Sequence, residues 1–284
     1  MELPDKAFQR AWDAIKLDAS IKERLVAQAL LSLSIRQDFA FEDIPLHGLI
    51  LLQGLPGTGK TTLARGLANR IAQALKPKGA TFLEVDPHAM ASSSLGRSQK
   101  DVAKLFTEVI PERAALRPCV VLLDEVEAVA VDRQRLSVEA NPIDVHRATD
   151  AALAGIDHLA RQTLPVVILA TTNFADAVDS ALLSRADWVE TVPLPNSEAR
   201  AEIIADTIRV LSARWPEIGK LSRSTAPLVA ASEGLDGRRI RKAIISAGAS
   251  SVEIAMDLNK LTANDIVRTL RHMTSPTAET GRVA

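Results

Sequence analysis

The spacing of apolar residues changes character twice along this chain. At the start, Phe8, Trp12 and Ile15 recur at helical intervals, and Ser20 with Glu23 forms a capping-box pair ahead of a second periodic stretch, so two helices are predicted. Asp38–Pro45 reads as a linker. Short apolar runs then alternate with helical stretches: Leu49–Leu52, Ala80–Val85, Val120–Leu123, Val166–Ala170 and Trp188–Val192 each have the length of a strand. Strands separated by helices pair in parallel through right-handed crossovers, so the pattern predicts an α/β domain on a five-stranded, mostly parallel sheet. Pro193 and Pro195 end the fifth strand, since proline has no N–H for the ladder. Beyond them only helical spacing remains, at Ser197–Leu211, Ala226–Ser232, Gly237–Ala249 and Thr262–Arg271, with Thr262 and Asp265 forming another cap. The expected organisation is N-terminal helices and linker at 1–44, a large α/β domain at 45–195, a small all-helical domain at 196–274, and a polar, frayed tail at 275–284.

Candidate chemistry gathers where the predicted strands end. Gly54-Leu55-Pro56-Gly57-Thr58-Gly59-Lys60-Thr61 fits the phosphate-loop pattern, with an apolar strand before it and a helix from Thr62 after it. The glycines let main-chain N–H groups approach phosphate oxygens, and the helix N-terminus favours negative charge. Gly54, Pro56, Gly57, Thr58, Gly59 and Thr62 are therefore candidates for ATP binding; Lys60 would neutralise the β- and γ-phosphates and Thr61 would bind Mg2+. The run Val120–Leu123 delivers Asp124 and Glu125 to the carboxyl edge of the sheet, where ligands bind in such folds. Asp124 suits contact with nucleotide-bound Mg2+, and Glu125 suits a general base that polarises the attacking water. The fourth strand ends in Ala170-Thr171-Thr172-Asn173, and the Asn173 amide can both donate to and accept from a lytic water or a phosphate oxygen.

Composition narrows the setting more than the partner. Lys and Arg number 34 against 35 Asp and Glu, a net charge of -1, which argues for no nucleic-acid or anionic-membrane partner. No apolar run approaches the roughly 20 residues of a spanning helix, and the acidic, amphipathic start does not resemble a secretory signal. Cys119 is the single cysteine and adjoins an apolar run, so it reads as a buried small hydrophobe; His47, His88, His146, His158 and His272 lack ligand spacing. A cytoplasmic location is expected.

Phosphate loop, acidic strand end, Thr-Thr-Asn strand end and helical lid together resemble the AAA+ superfamily. Within it, Val121–Val129, Arg147–Asp157, Ser184–Asp187 and Gly234–Arg238 are similar to the pachytene-checkpoint remodellers, which act on HORMA-domain proteins. The resemblance implies a homohexamer and two further functional residues. Arg185, in Ser184-Arg185-Ala186-Asp187, matches the arginine finger that reaches the neighbouring subunit's ATP; Arg238 matches the sensor arginine that reads the γ-phosphate of its own subunit, with Arg239 and Arg241 close enough to compete for that assignment.

The chain also departs from the family. In the pore loop after strand two the family carries an aromatic–aliphatic pair, whereas here Ser94 replaces the aromatic and Leu95, before Gly96, is the only bulky apolar residue near the tip. Such a grip implies weak traction per step, suited to opening a marginal substrate. The charged insertion Val131–Ile143 is a candidate second pore loop. Residues 1–44 are too few for the substrate-adaptor domain of the eukaryotic relatives, and short relatives resemble a bacterial branch found beside HORMA proteins and cyclic-nucleotide synthases in antiphage signalling. The expected task is to disassemble an activating HORMA complex and so silence the synthase. Two other roles share the AAA+ core: an assembly factor on DNA, of clamp-loader or initiator type, and an unfoldase subunit of a protease. Nothing after Arg271 could supply the collar or DNA-binding domain usual in the first, and no metallopeptidase helix supplies the second.

Overall fold

In a computed structural model that describes residues 1–85, 97–128, 142–223 and 225–274, six strands form one sheet. They are β1 (Glu2–Leu3), β2 (Leu49–Gln53), β3 (Ala80–Val85), β4 (Cys119–Leu123), β5 (Val166–Thr172) and β6 (Trp188–Thr191), in the order β1-β3-β4-β5-β2-β6. All neighbours pair in parallel except β1, which runs antiparallel to β3. The three central strands are apolar on both faces because both are covered, the usual condition of a parallel sheet. Alternate residues divide between two cores: Leu49, Leu51, Val121 and Ile168 pack with Phe106, Ile110 and Ile156 on one side. Ile50, Leu52, Val120 and Leu169 pack with Leu25, Leu63, Leu67 and Ile71 on the other.

The sixth strand was not foreseen. It is only Glu2–Leu3, too short to carry a period, and it is held by the ends of the segment: the Met1 amino group donates to the Phe82 carbonyl at 2.8 Å, and Phe82 N–H donates to Met1 O at 2.8 Å. Helices α1 (Lys6–Ala14) and α2 (Ala19–Asp38) follow as expected, but α2 is capped by Asp18, whose carboxylate accepts from Ser20 N at 2.7 Å, and not by Ser20. An ionised acceptor just before the helix satisfies the first orphan N–H and complements the dipole, which a hydroxyl inside the helix cannot do. β5 continues past its apolar run, with Leu52 opposite Thr171 and Gln53 opposite Thr172. Cys119 is buried, and burial pushes its thiol up to about 12, as a small core hydrophobe requires.

The chain separates into two compact units, Met1–Leu55 with Lys60–Val192, and Pro56–Gly59 with the segment from Pro193 onward. The second contains helices Ser197–Ser212, Ala226–Ala231, Gly237–Ser246, Val252–Met256 and Ala263–Thr274. Ile203, Ile204, Ile208, Leu228, Ile240, Ile244, Ile266 and Leu270 form its core. Thr262 and Asp265 cap each other reciprocally at the start of the last helix, with Thr262 N donating to Asp265 Oδ2 at 3.1 Å and Asp265 N to Thr262 Oγ1 at 3.3 Å. The α-helix predicted to reach Ala249 ends at Ser246 and tightens into a 3-10 turn over Ala247–Ser250. Among the described residues no helix is long and apolar enough to cross a membrane.

Candidate functional site

β2 runs into the phosphate loop, and α3 (Lys60–Ala74) begins at its end. Gly57 and Gly59 take φ of 85° and 96°, left-handed conformations that a Cβ would strain. Lys60 is 5% exposed, and its Nζ donates to the Gly54 carbonyl at 2.8 Å and the Leu55 carbonyl at 2.9 Å. The lysine thus closes the loop on itself through carbonyls, weak partners for a buried ammonium compared with a phosphate.

The ends of β4 and β5 are stitched together around Asp124. Its Oδ1 accepts from Thr61 Oγ1 at 2.7 Å and from Thr171 Oγ1 at 2.6 Å. The Thr171 hydroxyl in turn accepts from Glu125 N at 3.0 Å, so one side chain of β5 holds both acids of β4. Glu125 is exposed and has φ 54°, the left-handed region, which costs roughly 1–2 kcal/mol in a residue with a Cβ. Asn173 Nδ2 donates to Glu125 Oε1 at 3.2 Å, while Asn173 N donates to Glu127 Oε1 at 3.1 Å. Glu127 Oε2 is buried without a hydrogen-bond partner among the described residues. Backbone strain of this kind recurs at functional sites. A hydroxyl and a carboxylate converging at Thr61–Asp124 are hard oxygen donors and fit Mg2+, an ion that keeps most of its shell for water and phosphate. No cluster of three His, Cys, Asp or Glu capable of caging a metal occurs among the described residues.

The structure brings Lys60, Thr61, Asp124, Glu125 and Asn173 to one edge of the sheet, and adds Thr171 and Glu127, which sequence reasoning passed over. Thr171 belonged to the quoted Thr-Thr-Asn ending, but two adjacent threonines look like ordinary strand residues until register places one hydroxyl beside Asp124. Arg185 makes its contacts elsewhere. Its Nε and Nη2 donate to the two oxygens of Asp157 at 2.7 Å each, and Nη1 donates to Ala181 O at 2.7 Å. The ion pair holds the Asp157 carboxyl below the usual carboxylate range and raises Arg185. In the helical unit, Asp236 caps the helix Gly237–Ser246 by accepting from Arg238 N at 2.8 Å and Arg239 N at 2.9 Å. Arg239 reaches the Met273 carbonyl, whereas the Arg238 side chain is exposed. Ser94, Leu95 and Gly96, all of the Val131–Ile143 insertion but its last two residues, which begin the helix Pro142–Ala160, and the tail from Ser275 lie outside the described residues.

The chain is similar to known proteins. Residues 50–194 match the model of the ATPase family associated with various cellular activities (AAA). The chain is 47% identical over 272 residues to CD-NTase-associated protein 6 of Pseudomonas aeruginosa, covering 95% of this chain and 90% of that one. It is 34% identical over 217 residues to the pachytene checkpoint protein 2 homolog of Oryza sativa subsp. indica, covering 74% of this chain and 45% of that one. Among solved structures, one described as the E. coli MS115-1 HORMA:CdnC:Trip13 complex contains a chain of the same fold, with a TM-score of 0.75 and 23% identity over 96% of this chain and 94% of that one. A phosphate loop, a paired-acid strand end and a family match that spans both make the chain a member of the AAA ATPase family, which binds and hydrolyses ATP.

Proposed function

We propose that this ATPase assembles as a homohexamer and uses hydrolysis to pull on and open a HORMA-domain protein, so switching off a cyclic-nucleotide synthase that the HORMA protein activates, in bacterial antiphage defence. The observation that carries the reading is the identity to CD-NTase-associated protein 6 along nearly the whole chain. The likeness in fold to a chain from a HORMA:CdnC:Trip13 complex points the same way. The site supplies the engine. Lys60 would exchange the Gly54 and Leu55 carbonyls for phosphate oxygens, and Thr61 with Asp124 would hold Mg2+. Mg2+ held there would supply positive charge to the phosphates. Glu125 takes the proton of the attacking water, and Asn173, already on Glu125 Oε1, orients that water. Arg185 acts on the neighbouring subunit's nucleotide and Arg238 on its own. Of Arg238, Arg239 and Arg241, Arg239 is committed to Met273 O and only Arg238 is exposed, which favours Arg238 as the reader of phosphate. The protein works in the cytoplasm, with its substrate engaged through the Ser94-Leu95-Gly96 pore loop.

The test uses Glu125→Gln, whose amide keeps the shape but cannot take a proton. Turnover is expected to fall ~10²–10⁴-fold with ATP still bound. The ATP-loaded variant should then retain a HORMA-domain protein encoded beside it on a sizing column, and the same protein should stimulate hydrolysis by the parent. A HORMA protein that neither binds nor stimulates, where duplex DNA or a co-purifying peptidase does, moves the substrate to another class.

A further inference from the structure

A second set of charged side chains lies away from the strand-end cluster, between the helix Pro142–Ala160, the turn at Ser184–Asp187 and the start of β2. Its centre is Asp157. Nε and Nη2 of Arg185 grip its two oxygens in a fork, which fixes the plane of the guanidinium as well as its place. Asp157 Oδ1 also lies 3.3 Å from His47 Nε2. His47 in turn is tied to the residue two beyond Arg185: Asp187 accepts from His47 N at 2.9 Å and Gly48 N at 2.7 Å, while Asp187 N donates to Leu49 O at 2.8 Å. The segment from Arg185 to Asp187 is therefore pinned at both ends, by one side chain to a helix and by the other to the strand that carries the phosphate loop.

We propose that Asp157 is the positioning residue for Arg185, holding its guanidinium in the orientation in which it meets a phosphate of the neighbouring subunit. This rests on the reading of Arg185 as the arginine that acts across the subunit boundary. A guanidinium carries five N–H groups. The contacts to Asp157 and Ala181 use Nε and one N–H on each terminal nitrogen, so a second N–H on each remains for a phosphate oxygen. Asp157 thus does not compete with phosphate; it occupies one edge of the fork and orients the other. Burial lowers the pKa of His47, so the imidazole is neutral and the charge of Asp157 is left to Arg185. An arginine set in this way needs little reorganisation when charge develops on the transferred phosphate, which is where fixed donors gain most.

The experiment compares Asp157→Asn, Arg185→Ala and the double variant as assembled rings, with assembly checked by light scattering. Asp157→Asn is expected to lower kcat about tenfold and to leave KM for ATP within about twofold, the pattern of a misaimed group that does not touch its own nucleotide. In the Arg185→Ala background the same substitution should change kcat no further, and Asp157→Glu should recover part of the loss. A loss that persists in full without Arg185 makes Asp157 merely structural and overturns the proposal, as does parental kcat in Asp157→Asn. Should that variant fail to fold, Asp157→Glu, which shifts the carboxylate outward by one methylene, is read by the same cycle. Parental turnover in Arg185→Ala removes the reading of Arg185 itself, and this proposal with it.

Discussion

Arg185 and Arg238 each stand two residues from an aspartate, and the two aspartates act at different ranges. Asp187 reaches across to His47 and Gly48, more than a hundred positions earlier in the chain, and Arg185 is itself clamped by Asp157. Asp236 reaches only the next turn, capping the helix on which Arg238 sits, and leaves that arginine exposed. The first arrangement suits a group that must present one geometry to a partner it does not control. The second suits a detector: Arg238 and Arg239 lie in the first turn of a helix, where the macrodipole opposes cations, so a bound anion relieves a standing repulsion. On the proposed roles, the fixed arginine would organise the reaction and the poorly accommodated one would respond to the nucleotide.

The strongest way to break this contrast is to mix subunits. Arg185→Ala should lower turnover ~10²–10³-fold, the usual cost of one lost donor to developing charge, and Lys60→Ala should abolish tight ATP binding. Rings mixed from the two should regain hydrolysis where an intact phosphate loop meets an intact Arg185. Rings mixed from Lys60→Ala and Arg238→Ala should not, if Arg238 serves the nucleotide of its own chain as proposed. ATPase rate across mixing ratios, once exchange is confirmed, decides the matter, and equal recovery in both mixtures would erase the distinction.

A smaller effect isolates the cap. Asp236→Ala removes the acceptor for Arg238 N and Arg239 N and should cost about 1 kcal/mol, as lost N-caps commonly do. Thermal melting should register it. A melt identical to the parent's would mean that the helix start is held by something other than its cap.

The smallest effect lies in pH. His47 is held neutral by burial, its folded pKa below the ordinary 6.5, so the unfolded chain takes up the proton first on acidification. Stability from this group is present above about 6.5 and is lost as pH falls through that value toward the lowered folded pKa. Denaturant melts of His47→Gln should show a flatter profile than the parent over the same interval. Parallel profiles would assign the acid sensitivity to other groups.

The fold was largely legible because the sheet is buried on both faces. Leu49–Leu52 and Val120–Leu123 need no alternation to be recognised, since no face of theirs meets water. Lys60, Asp124 and Glu125 were legible for a related reason, being chemistry placed next to an unmistakable strand. Asp157 was not. It sits in mid-helix among residues with helical spacing, and its partners His47 and Arg185 come from segments that only the strand order brings together. Helix Val252–Met256 was missed because Val252 and Met256 are 82% and 83% exposed, so no apolar face marks it. The Asp18 cap was misread in favour of Ser20 because both residues are good caps and local sequence does not choose between them.

The strand order also governs how the molecule is made. Among the described residues β2, apolar along nearly its whole length, pairs only with β5 and β6, and β5 inserts between β2 and β4. During vectorial synthesis the strand that leads into the phosphate loop therefore waits without a ladder until Val166–Thr172 has left the ribosome, on the order of ten seconds at ordinary elongation rates. Through that interval its open edge is an invitation to pair with a foreign strand, and α2 and α3 are the cover already made. Nascent chains stalled before β5 should accordingly bind chaperones tightly and ATP not at all, since the wall that completes the nucleotide site is among the last parts of the sheet to arrive.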